Sequence, residues 1–294
     1  MVKAGIVFQI LINGLISGLL LSIVALGFHL IYSATKIFHI AHGGAYVASV
    51  YFYCWIYPML GLYVGIVLSL LFVFALGLLM EYTVYKPLTK KSGNQDIALI
   101  SSLGLYIIIV NIIALFFGNE TRILNSTISE SLLIGEYIIT KPQFIQIITA
   151  LPIIILFVVF MDKTGFGLKV KAVADNPILA RVVGIKIQKV RYIVFGLGSL
   201  MAATAAFLKA YDTGIDPNSG MAITLTAAVV VIIGGTASFT GTIIASLILA
   251  VLQNYVEYFL SPQWKDTITF IILVIVLIWR TEGILQFNIR TDEK

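Results

Sequence analysis

Three histidines fall between residues 29 and 42. Two of them, His39 and His42, stand at i and i+3, a spacing that lets two imidazoles on one helix face share a metal ion. No Asp, Glu or Cys close in sequence supplies a third ligand, so no metal is expected and the pair reads as hydrogen-bonding groups. His42 runs straight into Gly43-Gly44, where the missing side chains let a backbone bend or approach a neighbour closely. A second polar set, Gln9, Asn13 and Ser17, recurs at i, i+4 and i+8 as one stripe with Gly14 and Gly18 beside it. On an apolar helix such a stripe must face protein or water, sealing a helix contact through hydrogen bonds or lining a path. The chain contains no Gly-Lys pair and so no G-x-x-x-x-G-K-[ST] phosphate loop. No cofactor is therefore expected in this chain, and any ATP must bind another polypeptide. No nucleophile, base and metal set converges in the sequence, and no catalytic residue is expected.

The elements that carry these residues follow from composition. Of 294 residues, 60% are hydrophobic and 11% charged, with a mean hydropathy of +1.02. A soluble domain has about a quarter of its residues charged, so this is an integral membrane chain whose first partner is the lipid bilayer. Apolar runs near the length needed to cross it, about 20 helical residues, fall at roughly 6–28, 38–58, 60–80, 96–117, 143–161, 191–210, 221–234, 242–260 and 267–280. The first is longer than a signal-peptide core and ends without a small-residue cleavage site, so it is expected to stay as a membrane helix. The seventh and ninth are short enough to be re-entrant. The expected fold is an all-α polytopic membrane helix bundle of about eight to ten helical segments, some broken or re-entrant, forming one transmembrane domain over 1–294.

Lys and Arg divide unevenly between alternate gaps. Fourteen fall on one side, including Lys36, Lys86, Lys90, Lys91 and those of the 162–191 loop; Lys3, Arg122, Lys141, Lys209 and Lys265 make five on the other. The excess marks the cytoplasmic side and predicts an outside amino terminus. Because the basic residues sit in the gaps between spans, as topology requires, the pI of about 9.1 is not a sign of nucleic-acid binding. The gap at 118–142 is the largest external loop.

Residues 162–191, DKTGFGLKVKAVADNPILARVVGIKIQKVR, hold seven of the nineteen Lys and Arg. Inside them lies a punctuated helix: Asp175 and Asn176 can cap, Pro177 suits the first helical position, and Gly184 can close the end left-handed. About seven residues remain, 177–183. A helix so short is not stable alone, so it is either a connector packed on its own protein or a plug for a partner's groove. Gly234-Gly235, followed by TASFTG to Gly241, predicts a sharp turn between the seventh and eighth runs.

Six segments, in order, resemble one family. Phe38 to Gly43 resembles an N-F-A-H-G segment, and EYTVYKPL at 81–88 an E-x-x-x-Y-R-P-L cytoplasmic signature. Ile100 to Leu105, with Asn111, follows a T-x-G-L-S helix; AVADNPILARVVGI at 172–185 is similar to an ATPase-docking segment; Gly234 to Gly241 and Arg280 to Leu285 resemble G-G-x-G-S-x-x-G and R-P-x-G-L-x-G endings. Together they resemble the permease subunits of branched-chain amino acid ABC importers, a family that also includes urea and short-chain amide permeases. Ala237 replaces a usual glycine, Thr281 a proline, and Ala245 and Ala250 stand where glycines are frequent.

The resemblance implies alternating access in a prokaryotic inner membrane. An extracytoplasmic solute-binding protein would deliver the solute, two permease subunits, identical or homologous, would form the path, and two ATP-binding subunits would close on ATP. Coupling would pass through Lys171, Asp175, Asn176, Pro177, Ala180, Arg181 and Gly184, and the path would include Asn13, Ser17, His42, Gly43 and Asn111. The solute class implied is branched-chain or related aliphatic amino acids, with urea and short amides as the alternative. A secondary transporter or channel would be expected to carry intramembrane charges for ion coupling, and here charges are nearly confined to loops and ends.

Overall fold

The computed structural model describes residues 2–91, 95–124, 131–134 and 137–279. The terminal segment Arg280 to Leu285 lies outside the described residues. Helix α1 (Val2–Thr35) is followed by α2 (His42–Met80), whose path breaks at Gly61, a residue at φ 76°. A π-helical turn (Glu81–Tyr85) leads into α3 (Lys86–Lys91), and α4 spans Gln95–Phe117. Strands β1 (Ser131–Ile134) and β2 (Tyr137–Thr140) pair antiparallel, with Ser131 opposite Thr140. Helices α5 (Lys141–Lys163), α6 (Gly165–Asp175), α7 (Pro177–Val182) and α8 (Ile187–Asp212) carry the chain through the basic loop and back. Helices α9 (Ser219–Gly234), α10 (Phe239–Phe259) and α11 (Trp264–Trp279) complete the bundle.

Among the described residues, six helices are long and apolar enough to cross a membrane, and the expected all-α polytopic bundle is what the chain forms. Helix α2 with its extension counts once among them, although the break at Gly61 makes two arms of it, as the separate runs at 38–58 and 60–80 predict. The short runs become α9 and α11, each 16 residues and so about 24 Å long at 1.5 Å per residue. Helix α9 is mostly buried, packed among α1, α2, α10 and α11, which is how a short apolar helix keeps its ends away from lipid.

Helix α1 is the central post, touching α5, α8, α9 and α10. Its small-residue spacing has a direct use: a Cβ on Gly14 would lie 2.7 Å from the Val251 Cα, and one on Gly18 would lie 3.0 Å from the Leu247 Cα. Helices α1 and α10 therefore meet backbone to backbone. At one end of the bundle the polar contacts gather the basic segments, joining Glu81 to Arg191 and Lys86 to Tyr192. At the other end Gln9 meets Ile138, Arg122 meets Ile215, and Glu257 meets Lys265. The two ends sort as the charge alternation along the sequence requires.

Candidate functional site

The basic loop folds into two helices rather than one. Thr164 opens α6, its Oγ1 accepting from the Gly167 amide at 3.2 Å; α6 ends at Asp175. Asn176, not Asp175, then caps α7: its Oδ1 accepts from the amides of Ile178 and Leu179, both at 3.0 Å, with Pro177 at the first position. At the far end the Gly184 amide donates to the Arg181 carbonyl and the Ile185 amide to the Ala180 carbonyl, both at 3.0 Å, with Gly184 at φ 85°. This is the Schellman closure. Six helical residues thus have partners at both ends, which is what so short a helix needs to hold its shape.

Its two faces differ sharply. Ala180 is 2% exposed and packs into the protein, whereas Ile178 is 74% and Val182 77% exposed, with Leu179 and Val183 beside them also exposed. Sequence reading singled out the caps, Ala180 and the charged rim, and missed this apolar face. The signal was present as Ile178, Leu179, Val182 and Val183 clustered between the Asn176-Pro177 start and Gly184. The charged residues assigned to the rim stay on the surface: Lys171 pairs with Asp162 at 2.7 Å with both half exposed, and Arg181 is exposed. Asp175 lies close enough to act on Lys36, whose ammonium is pushed down by burial and partly restored by the Asp175 charge. Beside α7 opens a groove of about 450 Å³ lined by Phe166, Lys169, Val183, Lys186, Lys189 and Ile193, apolar at its base and basic at its edge.

The loop is tied to the bundle by a buried ion pair. Arg191, at the start of α8, donates through Nε to Glu81 Oε1 at 2.6 Å and through Nη2 to Oε2 at 3.0 Å; Gln188 adds Nε2 to Oε1 at 2.9 Å. Glu81 is fully buried. A fork that meets both carboxylate oxygens is directional as well as strong. Glu81 sits on the π-helical turn, which re-aims the side chains that follow it. Tyr85, four residues on, bonds His39 Nδ1 at 2.8 Å. Sequence reading placed Glu81 in a motif and counted Arg191 only as a topology marker, because two residues separated by more than a hundred positions carry no local sign of contact.

The three histidines hold helices together. His29 Nε2 donates to the Thr236 carbonyl at 2.9 Å while Nδ1 accepts from the Thr242 hydroxyl at 2.7 Å, which fastens α1 to the turn between α9 and α10. His42 begins α2 rather than bending it, and its Nε2 donates to the Val24 carbonyl at 3.2 Å. Gly43 abuts Gly220 so closely that a Cβ on either would overlap the other's carbonyl. No cluster of three metal-ligating side chains occurs among the described residues.

A second cavity, of about 300 Å³, opens at the end of the bundle away from the basic loop, among α1, α2, α8, α9, α10 and the start of α11. Aliphatic side chains such as Leu20, Leu21, Val24 and Ile223 form its walls; Ser17, Tyr46, Thr226 and Gln253 add hydroxyl and amide groups, and Lys209, Lys265 and Asp266 line it as well. Below Val24 the core closes, with Phe28, Leu30 and Ile31 buried. Of the residues assigned to a path, Ser17 lines this cavity. Asn13 stands one turn outward, accepting from Gln143 Nε2 at 3.4 Å, and Gln9 clamps β2 by bonding both the amide and the carbonyl of Ile138. His42 and Gly43 form the packing beneath the cavity. Asn111 is exposed on α4, bonds its own helix at Ile107, and does not join them.

The bundle has this cavity at one end and the capped helix of the basic loop at the other, and residues 10–277 match the family model described as branched-chain amino acid transport system, permease component. The chain belongs to that family. It is 28% identical to the high-affinity branched-chain amino acid transport system permease protein LivH of Escherichia coli strain K12, over 94% of each chain. It is 25% identical to the permease protein BraD of Pseudomonas aeruginosa, over 94% of this chain and 95% of that one. A probable branched-chain amino acid transport permease protein of Methanocaldococcus jannaschii is 25% identical over 94% and 91%. The solved structure of PsaBC from Streptococcus pneumoniae in complex with Fab has a similar fold, with a TM-score of 0.50 and 15% identity over 94% of this chain and 95% of that one. As a branched-chain amino acid transport permease component, this chain is a multi-pass membrane protein of an ABC transporter and is not itself the enzyme.

Proposed function

We propose that this permease carries branched-chain or related aliphatic amino acids inward across a prokaryotic inner membrane, powered by ATP on separate subunits. The observation that carries the reading is α7: a six-residue helix, closed at both ends, that packs Ala180 inward and leaves four aliphatic side chains to water. Exposed apolar residues clustered on a rigid cytoplasmic knob mark a docking surface. The occupant is a groove on an ATP-binding subunit, and the basic edge formed by Lys169, Lys186 and Lys189 favours an acidic rim around that groove. When two such subunits close on ATP, the knob moves as a body and carries α8 with it, and through Arg191 and Glu81 the end of α2. The outer cavity then opens toward the cytoplasm. A second permease subunit completes the path, and a solute-binding protein delivers to the outer face.

The cavity supports the solute class in a simple way, since an aliphatic amino acid needs apolar walls and a few polar groups. Reconstitution in liposomes with the ATP-binding subunits, the second permease subunit and the binding protein tests the reading. ATP-dependent accumulation of leucine, stimulated by the binding protein and competed by valine and isoleucine, is expected. Accumulation that ignores ATP, or that is competed by urea and short amides and not by aliphatic amino acids, would refute it.

A further inference from the structure

Charge in the outer cavity is not distributed at random. Two lysines and one aspartate line a space whose walls are otherwise aliphatic, hydroxyl or amide. Lys265 is already committed, its Nζ 3.1 Å from Glu257 Oε2. Lys209 is different. It projects from the last turns of α8 into the cavity and remains accessible there, and among the described residues it has no hydrogen-bond or ion-pair partner. Asp212 and Glu257 act on it through their charge without bonding it: Asp212 Oδ2 accepts from Gln146, and Glu257 from Lys265. Asp266, on the first turn of α11, lines the same cavity and likewise has no ion-pair partner among the described residues. One ammonium and one carboxylate that form no hydrogen bond or ion pair among the described residues thus border one aliphatic chamber. Tyr46 and Thr226 add hydroxyls deeper in, and Gln253 is held by its Nε2 on Thr269 Oγ1 at 2.7 Å, which leaves its carbonyl end available.

That set is the complement of a zwitterion with an apolar tail. We propose that the cavity is a receiving site for the free α-amino acid, in which Lys209 takes the carboxylate, Asp266 the ammonium, and Leu20, Leu21, Val24 and Ile223 the side chain. The proposal rests on the importer reading and deepens it, because it makes the membrane subunit a second filter after delivery. Urea and short amides carry no carboxylate for Lys209. A charge-assisted contact formed away from bulk water outweighs a neutral one about twofold in strength, so the site favours the zwitterion over an uncharged amide of the same shape.

The test places a reporter in the cavity of the assembled transporter. In a Cys54→Ala background, Thr226→Cys is labelled from the outside with an impermeant maleimide, with and without leucine. Leucine is expected to slow labelling and isovaleramide to leave it unchanged. With Lys209→Gln, at least tenfold more leucine is expected for the same protection, and Lys209→Arg restores most of it. Leucine uptake is measured on the same preparations. Leucine protection that is unchanged in Lys209→Gln, or equal protection by isovaleramide, overturns the site even if ATP-driven leucine uptake is intact. Failure of Thr226→Cys to label at all overturns it too, because the cavity would not be open to the outside. Protection by leucine in a preparation that takes up no amino acid would instead remove the importer reading and leave the site standing.

Discussion

Glu81 and Arg191 meet in a buried, two-pronged ion pair that joins the end of α2 to the start of α8, immediately after the α7 knob. The pair adds a directional tie to the packing that already holds the α6–α7 segment on the bundle, where Val170, Val173 and Ala180 are buried.

Removing one partner leaves the other charged and dry. Glu81→Ala and Arg191→Ala are each expected to destabilise the protein by about 3–5 kcal/mol, the usual cost of stranding a buried charge. The double variant Glu81→Met with Arg191→Met is expected to recover most of that stability without recovering transport, since a greasy contact has no fixed geometry. Thermal unfolding of the purified complex, set beside uptake, checks both halves.

The Asn176 cap is worth about 1 kcal/mol to a helix of ordinary length, and α7 has only six residues to share that loss. Asn176→Ala is expected to fray it, seen as faster hydrogen exchange at residues 178–183 and weaker uptake. Asn176→Asp keeps an oxygen acceptor and is expected to behave nearly as the parent protein.

Gly184→Val is expected to cost about 1 kcal/mol or more, because a β-branched residue is strained at φ 85°. Its effect should match that of Asn176→Ala, since both loosen the same six residues from opposite ends. Exchange rates at 178–183 again report it.

At the α1 and α10 crossing, Gly14→Leu is expected to push Val251 away and disturb the outer half of the bundle. Membrane insertion should persist, because insertion depends on hydropathy and not on close contact. A stable, well-folded Gly14→Leu protein would show that the backbone contact is dispensable.

How far the sequence could be read depended on distance along the chain. The spans, the separation of the runs 38–58 and 60–80, the glycine contacts of α1 and the punctuation of α7 all rest on local periodicity and local backbone chemistry, and the structure has each of them, with the two runs parted at Gly61. Of the two capping candidates Asp175 and Asn176, it is Asn176 that caps, because it directly precedes the first helical residue. What stayed hidden needed the third dimension. Nothing near Arg191 marks it as the partner of Glu81, nothing near Asn111 shows that it faces outward, and Ala180 looked like a contact to the outside when it is the residue that α7 buries. The hairpin of β1 and β2 was missed for a related reason, since Gln9, far away in sequence, bonds the edge of β2.

The most direct measurement is ATP-driven leucine uptake by the reconstituted transporter carrying Ile178→Asp with Val182→Asp. Both side chains are exposed, so the permease should fold, insert and keep its outer cavity, while its fit to the ATP-binding subunit is lost. Uptake is expected to fall at least tenfold, with ATP hydrolysis no longer responding to the loaded binding protein. Uptake at the parent rate in that variant would contradict the claim that α7 carries the energy of ATP into the membrane.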